Sequence, residues 1–136
     1  MHEWAISQNL LNHALAKASE EGASRIRSIT VEVGELGQID LDILRFALGQ
    51  LKKGTMAESA AIEVTRTEAR FSCRRCGHEW AFSETRKQLI SEMGQDNPVH
   101  YVPDFIYSFM HCPRCDSPDF DITSGRDIRI SMEGER

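Results

Sequence analysis

Residues 24–36 read SRIRSITVEVGEL. Ile29, Val31 and Val33 alternate strictly with Thr30 and Glu32, the period-two pattern of a strand with one buried and one wet face. Ile26 falls in phase with Ser28 rather than with Ile29, so the regular alternation begins at Ile29. A single strand of this kind needs partner strands and a covering layer, and the flanking sequence supplies both.

Upstream, from Trp4 to about Glu21, the residues Ile6, Leu10, Leu11, Ala14, Leu15 and Ala18 recur at intervals of three and four. That is the stripe of an amphipathic helix, and Gly22 ends it. Downstream, DLDILRFALGQLKKG (40–54) returns to helical spacing through Leu44, Ala47, Leu48 and Leu51. Asp40 suits its N-cap, and Lys52, Lys53 and Gly54 suit its C-terminus. A second strand is expected in AAIEVTRTEARF (60–71), with Ile62 and Val64 on one face. A third is expected in RDIRISMEG (126–134), where Ile128, Ile130 and Met132 point one way.

Three strands and two helices make a small two-layer α+β unit. It is expected to take residues 1–68 and 126–136, with residues 69–125 inserted between two of its strands. The 136-residue length and 40% hydrophobic content allow one ordinary core or two small units on one chain. The N-terminus lacks a basic region followed by an apolar run, and no stretch approaches the roughly 18 apolar residues of a membrane span. A soluble, cytoplasmic protein without a membrane partner is expected. The formal charge of −5, from 21 acidic and 16 basic side chains, argues against a sequence-independent grip on nucleic acid.

The four cysteines fall in two pairs, CRRC (Cys73, Cys76) and CPRC (Cys112, Cys115). Two tight turns of this kind place four thiolates around one tetrahedral ion, and Zn(II) is the expected metal. Gly77 after the first pair suits the left-handed conformation that follows such a turn, and Asp116 after the second tolerates it. Phe71, Trp80, Phe82, Phe109 and Phe120 are available for the small core of a zinc-ribbon-like domain. The gap between the pairs exceeds ordinary ribbon spacing, so ETRKQLISEMGQDNPVHYVPDF (84–105) requires an extended loop or an extra hairpin. A redox dithiol calls for one CxxC at a helix start rather than two matched pairs. Four thiolates leave no open coordination position, so the zinc is expected to be structural, with His78 and His111 as exposed or neighbouring groups that become ligands only if one thiolate dissociates.

The chain opens MHE. The amino group of Met1, the amide nitrogen of His2 and the His2 imidazole can close adjacent small chelate rings around square-planar Ni(II) or Cu(II). His2 is bulky enough for the initiator methionine to be retained. Both nitrogen bases titrate near neutrality, the amine at ~7.7 to 8 and the imidazole at ~6.5, so such a site releases its metal on acidification. The alternative is a merely solvated histidine, and three residues do not decide between them.

Taken together, MHEWAISQNLL, VEVGEL, FALGQLKKGTMAE, CRRCGHEW and CPRC resemble the HypA/HybF family of hydrogenase maturation factors over nearly the whole chain. The resemblance implies a nickel metallochaperone, not an enzyme, that delivers Ni(II) to the large subunit of [NiFe]-hydrogenase with the GTPase HypB. It implies a nickel site on Met1, His2 and Glu3, structural zinc on Cys73, Cys76, Cys112 and Cys115, and an α/β nickel domain carrying a zinc domain. NPVHYVPD (97–104) resembles a segment of longer, notably archaeal, relatives whose loop histidine approaches the nickel, which nominates His100. A homodimer is left open. The chain departs from many relatives at IDLDIL (39–44) and at Ser59, both in the scaffold.

Two readings compete with nickel transfer. RCGHEW with Arg70, Arg74, Arg75 and Arg114 would suit a zinc-ribbon nucleic-acid binder, and a zinc-propped surface would suit a protein-interaction scaffold. No nucleophile with a base can be picked out, and His13 reads as a boundary residue of the first helix.

Overall fold

The computed structural model describes residues 2–37, 39–84 and 110–136. Among these, the elements run α1 (Glu3–Glu20), β1 (Arg25–Gly34), a 3-10 turn (Glu35–Gly37), α2 (Leu41–Leu51), β2 (Ala61–Thr67), β3 (Arg70–Cys73), β4 (Glu79–Ala81), β5 (Phe120–Ser124) and β6 (Ile128–Glu135). They form two compact units. The first holds Met1–Val33, Ile39–Thr65 and Ile128–Arg136, and the second Gly34–Gln38 and Arg66–Asp127. The sequence-based limits of 1–68, 69–125 and 126–136 differ from these mainly at Gly34–Gln38, whose Leu36 is fully buried in the second core.

In the first unit a three-stranded sheet of order β2-β1-β6 is packed by α1 and α2. β1 and β6 pair antiparallel from Arg25↔Glu135 to Val33↔Ile128. A register shift between Ile26 and Ser28 absorbs one extra residue. That bulge explains why Ile26 stood out of phase: two residues on the bulged strand oppose one on its partner, so Ile26, Ile29, Val31 and Val33 all turn inward. The strand therefore starts four residues before the regular alternation does. Leu11, Ala14 and Ala18 of α1 join Leu44 and Leu48 of α2 in this core, with Ile62, Ile128, Ile130 and Met132 partly buried against it.

The helix ends follow from their capping chemistry. At the end of α1 the Ala23 N–H reaches the Ala18 carbonyl and the Gly22 N–H the Ser19 carbonyl, around Gly22 at φ +74°. This double closure satisfies carbonyls the helix would leave bare. At the start of α2 the Asp40 carboxylate accepts the Asp42 and Ile43 amides at 3.0 and 3.1 Å.

The second unit is a three-stranded sheet of order β4-β3-β5, with both pairings antiparallel. The stretch 60–71 is thus two strands in two sheets rather than one, parted after Thr67. Phe71, Trp80, Phe82 and Phe120 are fully buried and pack ring against ring, with centroids 5.6 to 6.4 Å apart. Phe109, expected in this core, lies outside the described residues.

Candidate metal centre

Each cysteine pair sits on a tight turn, and the two turns repeat one hydrogen-bond pattern. β3 ends at Cys73, whose sulfur faces the amides of Arg75 and Cys76, each at 3.4 Å. The Gly77 N–H closes back onto the Cys73 carbonyl at 3.0 Å. In the second turn the Arg114 amide faces the Cys112 sulfur at 3.4 Å, and the Asp116 N–H reaches the Cys112 carbonyl at 2.9 Å. Gly77 at φ +76° and Asp116 at φ +63° occupy the left-handed region the sequence assigned to them. The Cys73 amide donates to the His78 carbonyl at 2.8 Å and the Cys112 amide to the Ser117 carbonyl at 2.9 Å, closing the base of each turn.

The β3–β5 pairing, from Arg70↔Ser124 to Cys73↔Phe120, holds the two turns face to face. All four sulfurs lie within 4.8 Å of one another. Cys73 and Cys115 approach to 3.6 Å, Cys76 and Cys112 to 3.7 Å. Four thiolates on a tetrahedral zinc, each at ~2.3 Å, have sulfur–sulfur edges of ~3.8 Å, so the cluster fits a zinc site. The amides directed at Cys73, that of Cys76 above all, outweigh burial and bring its thiol down to about 6. At Cys115 the Ser117 amide is outweighed by burial and by the three neighbouring sulfurs, which push it up to about 12. Thiolates this close repel one another, and a cation among them removes that conflict.

The neighbouring groups are accounted for by the fold. The His78 ring stacks on Trp80 with centroids 5.9 Å apart and planes 14° from parallel, while His111 is exposed. Arg74 spans β5, donating to Asp121 through Nε at 2.9 Å and to Asp119 through Nη1 at 2.8 Å. Arg70 faces Glu68 at 3.8 Å. These pairings neutralise two of the arginines on which a nucleic-acid surface would depend.

At the other candidate site, His2 is exposed and its carbonyl accepts the first helical amide, from Ile6, at 2.9 Å. Its imidazole makes no capping bond to α1. Glu3, by contrast, is only 5% exposed and lies on the same face as Ser7, whose hydroxyl donates to the Leu44 carbonyl at 3.3 Å. Burial opposes its ionisation, but hydrogen bonds, among them one from the Asp40 backbone, hold the Glu3 carboxyl below its ordinary value. The Glu3–Asp40 link escaped the sequence reading, because a polar residue on a buried face carries no hydrophobic signal. Met1 and His100 lie outside the described residues.

A small α+β unit and a four-cysteine cluster that fits a metal ion share one chain, the combination expected of a metal-site protein rather than of a catalyst's pocket. The family model described as "Hydrogenase/urease nickel incorporation, metallochaperone, hypA" matches residues 1–133, and the chain belongs to this HypA family of maturation factors, which are not catalysts. Relatives named hydrogenase maturation factor HypA are 41% identical in Pyrococcus horikoshii, over 100% of both chains, and 40% identical in Pyrococcus furiosus, over 96% and 93%. In fold, the chain is similar to the solution structure of the Ni metallochaperone HypA from Helicobacter pylori. The TM-score is 0.61 at 19% identity, over 99% of this chain and 98% of that one. Among the described residues no helix is long and apolar enough to cross a membrane.

Proposed function

We propose that this chain binds Ni(II) through Met1, His2 and Glu3, with His100 as a further ligand, and hands it to the large subunit of [NiFe]-hydrogenase alongside the GTPase HypB. Cys73, Cys76, Cys112 and Cys115 hold a structural Zn(II). The setting is the cytoplasm, where such thiols stay reduced. The observation that carries the reading is the family match, which runs from residue 1 through both cysteine pairs.

The chemistry of the two donor sets supports a division of labour. Bound zinc supplies a cross-link between the two turns with no open coordination position. The cysteines hold that cross-link, the amides of Arg75, Cys76 and Arg114 orient the sulfurs, and the aromatic core excludes water from one side. His2 stands exposed with no cap bond to break, so its nitrogens are available to an incoming ion and to a partner that takes it away. Nickel is the cargo here.

The test is nickel titration of zinc-loaded protein at neutral pH, comparing the native N-terminus with one extended by a residue before Met1 and with His2→Ala. Loss of one stoichiometric planar nickel site in both altered proteins, with zinc content unchanged, supports the terminal chelate. Unchanged nickel binding refutes it.

A further inference from the structure

The four sulfurs of the metal centre do not share one environment. Cys73 and Cys112, the first cysteine of each turn, are 3% and 2% exposed. Cys73 accepts the amides of Arg75 and Cys76, and Cys112 that of Arg114, each at 3.4 Å. The second cysteines stand further out, Cys115 partly buried and Cys76 exposed. The Ser117 amide is directed at Cys115, whereas no amide among the described residues donates to the Cys76 sulfur. An amide bonded to a thiolate draws off the electron density with which that thiolate attacks, so Cys76 keeps the most nucleophilic sulfur of the four.

The residue after the second cysteine of each turn decides the approach. Both turns need a left-handed backbone there, and the chain fills the two places differently, with Gly77 at φ +76° and Asp116 at φ +63°. A Cβ at Gly77 would meet nothing within 4 Å, so the space beside Cys76 is open. At the matching place the exposed Asp116 sets a carboxylate next to Cys115. Arg75, on the other side of Cys76, is exposed and in no ion pair among the described residues, unlike Arg74, which Asp119 and Asp121 hold. Cys76 thus lies between a cation and an open gap, Cys115 between the cation of Arg114 and an anion.

We propose that Cys76 is a modification site, the thiolate at which an alkylating electrophile or a peroxide enters the metal centre, with Cys112 as the partner that completes the oxidation. This rests on the zinc reading above, since a bound cation keeps an exposed thiol ionised at neutral pH. The Cys76 sulfur attacks one oxygen of hydrogen peroxide, the O–O bond breaks, and with one proton taken up the products are water and a Cys76 sulfenic acid. Cys112, whose sulfur is 3.7 Å away, then attacks the Cys76 sulfur. The S–O bond breaks, hydroxide leaves and a Cys76–Cys112 disulfide forms. Two electrons have passed from the pair of sulfurs to the peroxide. Only Cys73 and Cys115 remain as thiolates, so the ion is released, and a dithiol reductant that reopens the disulfide restores the site.

Peptide mapping tests this directly, because trypsin cuts after Arg74, Arg75 and Arg114 and leaves each of the four cysteines on its own peptide. The full chain is loaded with zinc, its metal content measured, and less than one equivalent of N-ethylmaleimide added before quenching and digestion. Cys76 should carry on the order of fivefold more label than any other cysteine. Gly77→Asp, which gives the first turn the residue of the second, should keep zinc and slow alkylation of Cys76 by the anionic reagent iodoacetate about threefold to fivefold, while Asp116→Gly should quicken that of Cys115. With hydrogen peroxide the first disulfide should join Cys76 to Cys112, zinc should leave in step with it, and dithiothreitol with added zinc should restore binding. A chain that takes up no zinc overturns the zinc reading and this proposal together. A zinc-loaded chain whose first label falls on another cysteine, a Gly77→Asp rate equal to native, or a first disulfide other than Cys76–Cys112 overturns this proposal alone.

Discussion

A Cβ built on Gly125 would stand 2.4 Å from the Cα of Ala69, and Gly125 itself adopts φ +80°. The reason is a crossing of three segments. The Gly125 carbonyl accepts the Leu36 amide at 3.1 Å, and the Glu35 carboxylate accepts the Ala69 amide at 3.0 Å. Leu36 is thereby anchored in the second core although it lies more than thirty residues from the rest of it.

Gly125→Ala should therefore carry two penalties, a left-handed backbone costing about 1–2 kcal/mol and a backbone clash costing about 1–3 kcal/mol more. Gly22 has nearly the same φ, +74°, but nothing within 4 Å of its would-be Cβ. Gly22→Ala should lose only the first of these. Urea unfolding of the two variants separates the effects, and equal losses would contradict the crossing.

Asp40 tests the entry to α2. Its carboxylate accepts two amides of the first turn, so Asp40→Ala should destabilise the protein by about 1 kcal/mol while Asp40→Asn stays near native. Thermal unfolding followed at helical wavelengths reads this directly. Equal stability of the alanine and asparagine variants would mean the cap bonds contribute nothing.

Much of this was legible in the chain itself. Period-two alternation locates β1, β2 and β6, three-four spacing locates both helices, and the CxxC pairs locate the sulfur cluster, because each is a local pattern. What escaped is non-local or polar. The bulge between Ile26 and Ser28 adds a residue that side-chain identity does not mark. β3 meets β5 across some fifty residues, and no local pattern reports that pairing. Glu3 and Ser7 lie on the buried face of α1 because backbone groups of Asp40 and Leu44 satisfy them, a complementarity that hydrophobic spacing cannot register.

Arg74 ties the first cysteine turn to β5 through Asp121 and Asp119. Its hydrogen bonds hold the Asp121 carboxyl below the ordinary carboxylate value. A depressed folded value means the stabilisation is complete above the unfolded value of ~3.9 and fades as pH falls through the folded one. Arg74→Lys should lower stability, since an ammonium cannot reproduce the two-carboxylate fork. The difference from native should be constant from neutrality to about pH 5. Unfolding midpoints measured across that range check it, and a difference that shrinks on approaching pH 5 would place the stabilisation on another group.

Metal removal should separate the two cores. Trp80 is 1% exposed in the second core and donates to the Met110 sulfur at 3.4 Å, whereas Trp4 is 48% exposed and meets Phe46 edge-on. In a Trp4→Phe background Trp80 alone reports. With four thiols facing one another and no ion to hold them, the turns should open, so an excess of chelator should shift Trp80 emission to the red. The first core, with its own cluster from Leu11 to Val64, should keep most of its helical signal. Cys76→Ala should reproduce the chelated state, and zinc added back should restore only the protein with all four cysteines. Trp80 emission indifferent to chelator would mean that the aromatic core, and not the metal, holds the second unit together.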